Sequence, residues 1–372
     1  MRFEFGANWA NFVQTSLSEE KIVQSMEHLK SFLRVEDLRG KSFIDIGSGS
    51  GLHSLAALRL GADHIFSFDY DQNSVSTTAK VREFAGSPSN WTVQQGSVLD
   101  ENYMNGLEKF DFVYSWGVLH HTGDMWTAIR NAAIPLKPDG LFYIALYSPE
   151  IYVSPPSHHW LDVKRTYNAA GKFKKSKMEL DYVWRNVVSP ALKAGRNPLS
   201  MIREYGGDRG MTLWTDVRDW LGGYPMEFAS YKDTILFCKS KLGLDLVNCL
   251  TGQGNTEFLF ANFKMNARWY EIEQTRKRIP LPGPFNWGER YLYTAPLEHL
   301  KDVADSGGHP YQSRLMLYED GEPLGLAHSS HENIRTHGLG RFIHWDDQLY
   351  FSASDSTNPN FNGRTYSYVV EY

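Results

Sequence analysis

Apolar residues recur at helical spacing through Ile22, Met26, Leu29 and Leu33, and the run breaks at Arg39-Gly40. A short continuous apolar run then predicts a buried strand over 42–46, followed by a glycine-rich turn. The pattern continues with a helix over 52–60 closed by Gly61, a strand over 64–68 closing on Asp69-Tyr70-Asp71, and a helix over 73–84. Strands follow over 91–95 and 110–115, then a helix over 124–134, the turn Lys137-Pro138-Asp139-Gly140 and a strand over 141–147. Strand alternating with helix predicts an α/β domain with a parallel sheet.

That rhythm stops at 148. Residues 148–229 are rich in Pro, Trp, Tyr and Arg and show no strand pattern. It resumes with a helix near 231–241 and two apolar stretches, 244–249 and 257–263, which read as the last strands of the same sheet. Residues 148–229 are then an insertion over the carboxyl end of the sheet, where open α/β sheets bind ligands. Residues 276–287 are basic, proline-rich and linker-like. Short strand patterns with turns follow at 315–318, 341–345, 349–353 and 365–370, predicting an all-β module, a sandwich or small barrel. No internal repeat is visible.

A chain of 372 residues exceeds what one hydrophobic core usually serves, so the pattern reads as two domains. The net charge of -5 disfavours a nucleic-acid partner. Two cysteines, Cys238 and Cys249, offer neither a disulfide framework nor a metal knuckle. No run of roughly 18 apolar residues predicts a transmembrane span, and the N-terminus lacks a secretory pattern, so a cytoplasmic location is expected.

The segment Phe43-Ile44-Asp45-Ile46-Gly47-Ser48-Gly49-Ser50-Gly51 runs a strand into glycines, where the backbone can approach a ligand closely and present free N–H groups at a helix start. A dinucleotide fingerprint wants G-x-G-x-x-G/A. Counting from Gly47 the sixth place is Leu52, and from Gly49 it is Ser54, so the fingerprint fails twice. The acid two residues before the first glycine suits a ligand with a positive amino-acid portion and would repel a pyrophosphate.

With these residues the sequence resembles the class I methyltransferases, whose first motif is D-x-G-x-G-x-G. The resemblance implies a Rossmann-like seven-stranded sheet with a helical cap insertion, and S-adenosylmethionine as cofactor. It implies that Asp69, at the end of the second strand, holds the ribose hydroxyls, with Tyr70 beside it and Asp71 the weaker claimant. Where the family often has an acid reading the adenine amino group, this chain has Gly96-Ser97-Val98, so Ser97 and the Val98 backbone take that place. Phe110 through Ser115 resembles the fourth motif, and 136–141 the turn before the fifth strand. Val118-Leu119-His120-His121 is the form common in the UbiE-like branch (methyltransferase types 11 and 12). Phe5 through Trp9, Arg209-Gly210-Met211, and Asp219 through Pro225 look like bacterial methyltransferases associated with surface-sugar assembly. The resemblance covers roughly residues 1–263, with a cap at about 148–229; residues 264–372 look like a β-rich accessory domain.

Methyl transfer is an in-line displacement at a sulfonium carbon, so the protein positions two partners and supplies a base when the nucleophile carries a proton. His121 and His120, following the fourth strand, are the candidate bases; a helix cap and plain packing are the competing roles. The cofactor set is Asp45, Gly47, Ser48, Gly49, Gly51, Asp69, Tyr70, Ser97, Val98, Ser115, Trp116 and Trp9, the last as part of a closing lid or a staple of the terminus. Trp116 and Trp126 flank the loop after strand four. In the insertion, Arg209, Asp219, Trp220 and Tyr224, with Asp216 and Glu227, offer planar faces and carboxylates to a hydroxyl-rich substrate, or else a small core and solvated pairs. His328, His331, His337 and His344 are spaced 3, 6 and 7 apart and match no zinc template, so no metal is expected. Trp345, Tyr350 and Phe351 read as a sugar-binding face or as the core side of a hairpin, and Lys172-Phe173-Lys174-Lys175 as a solvated loop.

The expected function is methyl transfer from S-adenosylmethionine to a small-molecule or glycan-precursor acceptor at a hydroxyl oxygen. The alternatives are a phenolic or quinone-like ring as acceptor, and a non-catalytic cofactor-binding protein whose β-module binds a partner or glycan.

Overall fold

A computed structural model of the chain describes residues 17–152, 155–198, 200, 202, 213–251, 254–275, 277–309 and 312–370. Trp9 and Arg209, with the motifs around them, lie outside the described residues. The chain divides into two compact units, Met1–Phe228 and Ala229–Tyr372.

The first unit opens with α1 (Glu19–Leu33), three residues earlier than the apolar spacing places it. Ser18 caps it by accepting from the Lys21 N–H, and Glu19 and Glu20 sit in the first turn against the positive helix end. Ile22, Leu29, Phe32 and Leu33 are buried along one stripe. Next come β1 (Ser42–Ile46), α2 (Leu52–Arg59), β2 (His64–Asp69), α3 (Gln72–Phe84), β3 (Trp91–Gln95), α4 (Glu101–Asn105), β4 (Phe110–Trp116), α5 (Met125–Ala132) and β5 (Leu136–Leu146). These five strands run parallel, with Phe43 beside Ile65 and Phe112, and Val113 beside Phe142. Helical crossovers connect them because parallel neighbours cannot be joined by tight hairpins. The expected turn at 137–140 is absorbed into β5, whose register shifts between Phe110 and Phe112 of its neighbour.

The insertion is helical: α6 (Ser157–Ala169), α7 (Lys172–Val183), α8 (Ser189–Lys193) and α9 (Leu213–Gly222). Its own core is Tyr167, Val183, Leu213, Val217 and Leu221. Lys172 through Lys175 form the first turn of α7 rather than a loop.

The second unit begins with α10 (Tyr231–Phe237), then β6 (Asp245–Thr251) antiparallel to β7 (Thr256–Ala261), then α11 (Ala267–Thr275). The main sheet has the order β3-β2-β1-β4-β5-β7-β6, so the two apolar stretches are its last strands. The C-terminal region adds two four-stranded antiparallel sheets. Strands β8 (Ile279–Pro280), β9 (Asn286–Glu289) and β10 (Leu292–Pro296) are followed by β11 (Leu315–Glu319), β12 (Glu322–Leu324), β13 (Phe342–Trp345), β14 (Gln348–Phe351) and β15 (Tyr366–Val370). One sheet has the order β13-β14-β10-β9 and the other β12-β11-β15-β8. Tyr293, Phe342 and Phe351 of the first share a buried cluster with Leu317, Leu324 and Tyr368 of the second.

Three expectations for this region change. The linker-like stretch carries β8 and β9, hidden in the sequence because their side chains are exposed and alternate with proline and glycine. His331–His337, where the pattern predicts no element, is helix α12, capped by Ser330. The Trp345–Phe351 hairpin is covered on both sides. Phe351 lies in the common core, while Trp345 and Tyr350 pack against Ile334 of α12.

Candidate functional site

β1 delivers Asp45 into the protein interior, where it is 3% exposed. Its Oδ2 accepts from Ser54 Oγ at 2.6 Å; Ser54 meets Ser67 at 2.7 Å, and Ser67 Oγ accepts from Trp91 Nε1 at 2.8 Å. Burial pushes the Asp45 carboxyl up to about 7, with Ser54 opposing and the Asp69 charge adding to the rise.

The loop that follows takes left-handed backbone at all three of its odd glycines, φ +76° at Gly47, +53° at Gly49 and +77° at Gly51. Only glycine adopts these without strain. A Cβ at Gly47 would overlap the Val118 side chain, and one at Gly51 would sit 3.0 Å from Thr78. The expectation of free N–H groups is corrected. Those of Gly47 and Ser48 donate to the Phe68 carbonyl at 2.8 and 3.1 Å, that of Gly51 donates to Ser48, and that of Gly49 donates to Asp69 Oδ2 at 3.0 Å. The loop is held to the end of β2 by the amides of Gly47, Ser48 and Gly49. Ser48 Oγ and Thr78 Oγ1 are 2.9 Å apart and close the cradle from α3.

Asp69 is held at both oxygens, since Oδ1 accepts from the Asp71 N–H at 2.9 Å. Tyr70 is exposed beside it, and Asp71 is committed to capping α3 through Asn73. A Cβ at Gly96 would collide with the Tyr103 ring, which fixes the turn leading to Ser97. Ser97 Oγ accepts from the Leu99 N–H at 3.3 Å, and the buried Asn131 amide donates to the Val98 carbonyl at 2.9 Å. Ser115 donates its hydroxyl proton across strands to the Ile46 carbonyl at 2.9 Å, so its first role is to tie β4 to β1. Trp116 ends β4, partly exposed. Asp45, the glycine loop, Asp69 and Ser115 are therefore brought together at the carboxyl ends of β1, β2 and β4.

After β4 the chain makes a single helical turn, Leu119–His121, that buries both histidines. His121 Nδ1 donates to the Pro225 carbonyl at 2.7 Å, which places the proton on Nδ1 and makes Nε2 the basic nitrogen of the neutral ring. His120 is fully buried, and neither of its ring nitrogens has a hydrogen-bond partner among the described residues. Burial holds its pKa well below the ordinary value, with His121 and Lys164 adding to the effect. The end of the insertion is latched to this turn, the Glu227 N–H donating to the His120 carbonyl and Glu227 Oε2 accepting from the Met125 N–H.

Beyond the histidines stands a wall of aromatics. His120 packs on Tyr147 with ring centroids 4.0 Å apart; Trp220 stacks on Tyr152 at 5.8 Å and meets Trp160 at 5.0 Å; Phe228 lies against both Tyr147 and Tyr152. Of the expected substrate residues, Trp220 belongs to this wall, and Asp219 and Tyr224 flank it in sequence. Lys164, absent from the sequence expectations, is 1% exposed, donates to the Trp220 carbonyl and lies 4.4 Å from the centre of the Trp220 ring. Burial pushes its amine down to about 7, Asp219 opposing. A sequence signal exists: Trp160, Val163, Lys164 and Tyr167 fall on one stripe of α6, so this lysine occupies a core position.

Two of the C-terminal histidines, His328 and His344, gather near the buried Asp305. His328 Nδ1 lies 2.6 Å from Oδ2 of the buried Asp305, and His344 Nδ1 2.9 Å from Ser313 Oγ. Among the described residues no group of three or more His, Cys, Asp or Glu side chains is arranged to hold a metal.

The family model for a methyltransferase domain matches residues 19–179, which span the five parallel strands, the glycine loop and the first helices of the insertion. The chain carries a class I S-adenosylmethionine-dependent methyltransferase domain. The ubiquinone biosynthesis O-methyltransferase of Methylobacterium sp. (strain 4-46) is 31% identical to it over 118 residues, which is 32% of this chain and 45% of that protein. The tRNA U34 carboxymethyltransferase of Methylococcus capsulatus is 30% identical over 28% of this chain and 32% of that protein. The chain therefore spans less than half the length of either relative. Among solved structures, magnesium protoporphyrin IX methyltransferase from Synechocystis PCC 6803 with bound SAH aligns at 13% identity and a TM-score of 0.36. That alignment covers 65% of this chain and 80% of that one. The methyltransferase domain accounts for the cradle: a buried carboxylate that lacks a cation and a loop with no room for side chains fit a cationic, amino-acid-bearing nucleotide. No helix among the described residues is long and apolar enough to cross a membrane.

Proposed function

We propose that this chain catalyses methyl transfer from S-adenosylmethionine to a hydroxyl oxygen of a small-molecule or glycan-type acceptor bound between the His120-His121 turn and the helical insertion. In this reading residues 1–263 are the methyltransferase domain, 148–229 its cap and 264–372 an accessory β domain. The cofactor supplies an electrophilic methyl group. Asp45 faces its ammonium, Asp69 takes the ribose hydroxyls, the Gly47–Gly51 loop, Ser48 and Tyr70 enclose it, and Ser97, Val98, Ser115, Trp116 and Trp9 complete the site. Arg209, Asp219, Trp220 and Tyr224 belong to the acceptor side.

One observation carries the reading. His121 is locked by Pro225 into the tautomer whose Nε2 can take a proton, at the end of the strand beside the cofactor loop. That is what a hydroxyl nucleophile needs. The aromatic wall favours a second reading, in which the hydroxyl is phenolic. Calorimetry with S-adenosylmethionine and with NAD tests the class: binding of the former alone is expected, and binding of NAD alone overturns it. His121→Ala should lower kcat about 100-fold or more while leaving cofactor affinity unchanged. Full turnover in that variant removes the general-base role.

A further inference from the structure

Where the main sheet's β4 and β5 end, several buried polar groups have no hydrogen-bond partner among the described residues: both ring nitrogens of His120, the hydroxyl of Ser148 and the indole Nε1 of Trp220. His120 and Ser148 are fully buried. Orphaned groups of this kind cost about 1–3 kcal/mol each. The four atoms belong to three residues gathered around Tyr147: His120 packs on its ring, Ser148 follows it in the chain, and Trp220 meets it edge-on at 6.2 Å. Lys164, over the Trp220 ring and within electrostatic reach of His120, adds a buried amine whose nearest described neighbours are a carbonyl and an indole face. Asp219 offsets only part of what burial takes from it.

The chemistry of this set is one-sided. An indole N–H and an ammonium can only donate, and a serine hydroxyl and an imidazole can each donate once. Sugar hydroxyls would call for carboxylates and amide oxygens, and neither is among the four atoms gathered around Tyr147. The surrounding faces, Tyr147, Tyr152, Trp160 and Phe228, are half-buried planar rings that would stack on a flat ligand.

We propose that Lys164, Trp220, His120 and Ser148 form the acceptor subsite and that it binds a planar aromatic oxyanion, with the Lys164 ammonium as counter-charge. The inference rests on the methyl-transfer reading, because it assigns this wall to the acceptor. On binding, the phenolic O–H bond breaks with its electron pair left on oxygen, and the proton goes to Nε2 of His121. Lys164 keeps its own proton and so acts as a positioning and specificity residue, holding the oxygen in its nucleophilic form.

The test uses 4-nitrophenol, whose phenolate is yellow, with the full chain and S-adenosylhomocysteine at a pH below the probe's own pKa. The wild-type protein should develop the phenolate band. Lys164→Met should lose it, and Lys164→Arg should keep most of it. A band of equal size in Lys164→Met overturns the assignment. Trp220→Phe keeps a ring and removes one donor, so it should weaken probe binding severalfold even if the lysine variant does not fold; unchanged affinity there counts against the subsite. If S-adenosylhomocysteine binds by calorimetry but the probe does not, or methyl glucoside binds in its place, this inference fails and the methyl-transfer reading stands. If S-adenosylhomocysteine itself does not bind, both fall.

Discussion

The cofactor cradle and the wall beyond β4 are built from similar side chains and satisfied to opposite degrees. In the cradle, Asp45, Ser54, Ser67 and Trp91 form one continuous chain of hydrogen bonds, and Asp69 spends both oxygens on backbone amides. Beyond β4, His120, Ser148 and Trp220 have nitrogen or oxygen atoms with no partner among the described residues. A site that serves one unchanging ligand can be pre-organised completely, with its carboxylates held in place by the protein itself. A surface that must recognise a particular acceptor keeps polar capacity in reserve, and that reserve is visible as unsatisfied atoms.

The sharpest way to break this contrast is at Asp45. Its native carboxyl is raised from 3.8 to about 7, so the folded protein holds a proton that the unfolded chain gives up. The stabilisation is present below about pH 4 and drains away as the pH rises to about 7. Asp45→Asn, which carries no charge and can still accept from Ser54, should match the wild type near pH 4. Above pH 7 it should be more stable by up to about 4 kcal/mol. Urea titrations of the two proteins across that range decide it, and parallel curves would show that Asp45 is ionised throughout.

Next in size is Gly47→Ala, which combines a left-handed backbone with a collision against Val118. Together these should destabilise the fold by about 2–4 kcal/mol and abolish calorimetric binding of S-adenosylmethionine. The smallest effects form a matched pair of serines. Ser54→Ala takes the hydroxyl donor from the buried Asp45, leaving only the backbone N–H of that position, and should cost about 1–3 kcal/mol, whereas Ser148→Ala removes a group with no partner among the described residues and should cost close to nothing. Equal losses by thermal denaturation would mean that Ser148 is satisfied in solution and that the wall holds nothing in reserve.

Much of the sheet was legible because buried parallel strands are unbroken apolar runs; β1 and β3 fall where the pattern placed them. The cradle was legible because glycines and an acid at fixed spacing have few other uses. The loss of free amides was not, since Gly47 and Ser48 pair with Phe68, twenty residues away in sequence. Lys164 was missed for a different reason. In a polar helix a lysine reads as solvated, and only the Trp160–Tyr167 stripe betrays its burial. The second unit hid most, because β8 and β9 are short and exposed and Asp305, at the heart of its histidines, follows no pattern.

Val118, which leaves no room for a side chain at position 47, also opens the turn that carries His120 and His121. The proposed donor and acceptor sites thus share a single van der Waals boundary. A larger residue at 47 becomes tolerable only alongside a smaller one at 118, and that exchange moves the histidines. Saturating both positions together and selecting for fold should return compensated pairs. The activities of those pairs, ranked against the volume at 118, would measure how far remodelling of the donor loop reshapes acceptor choice.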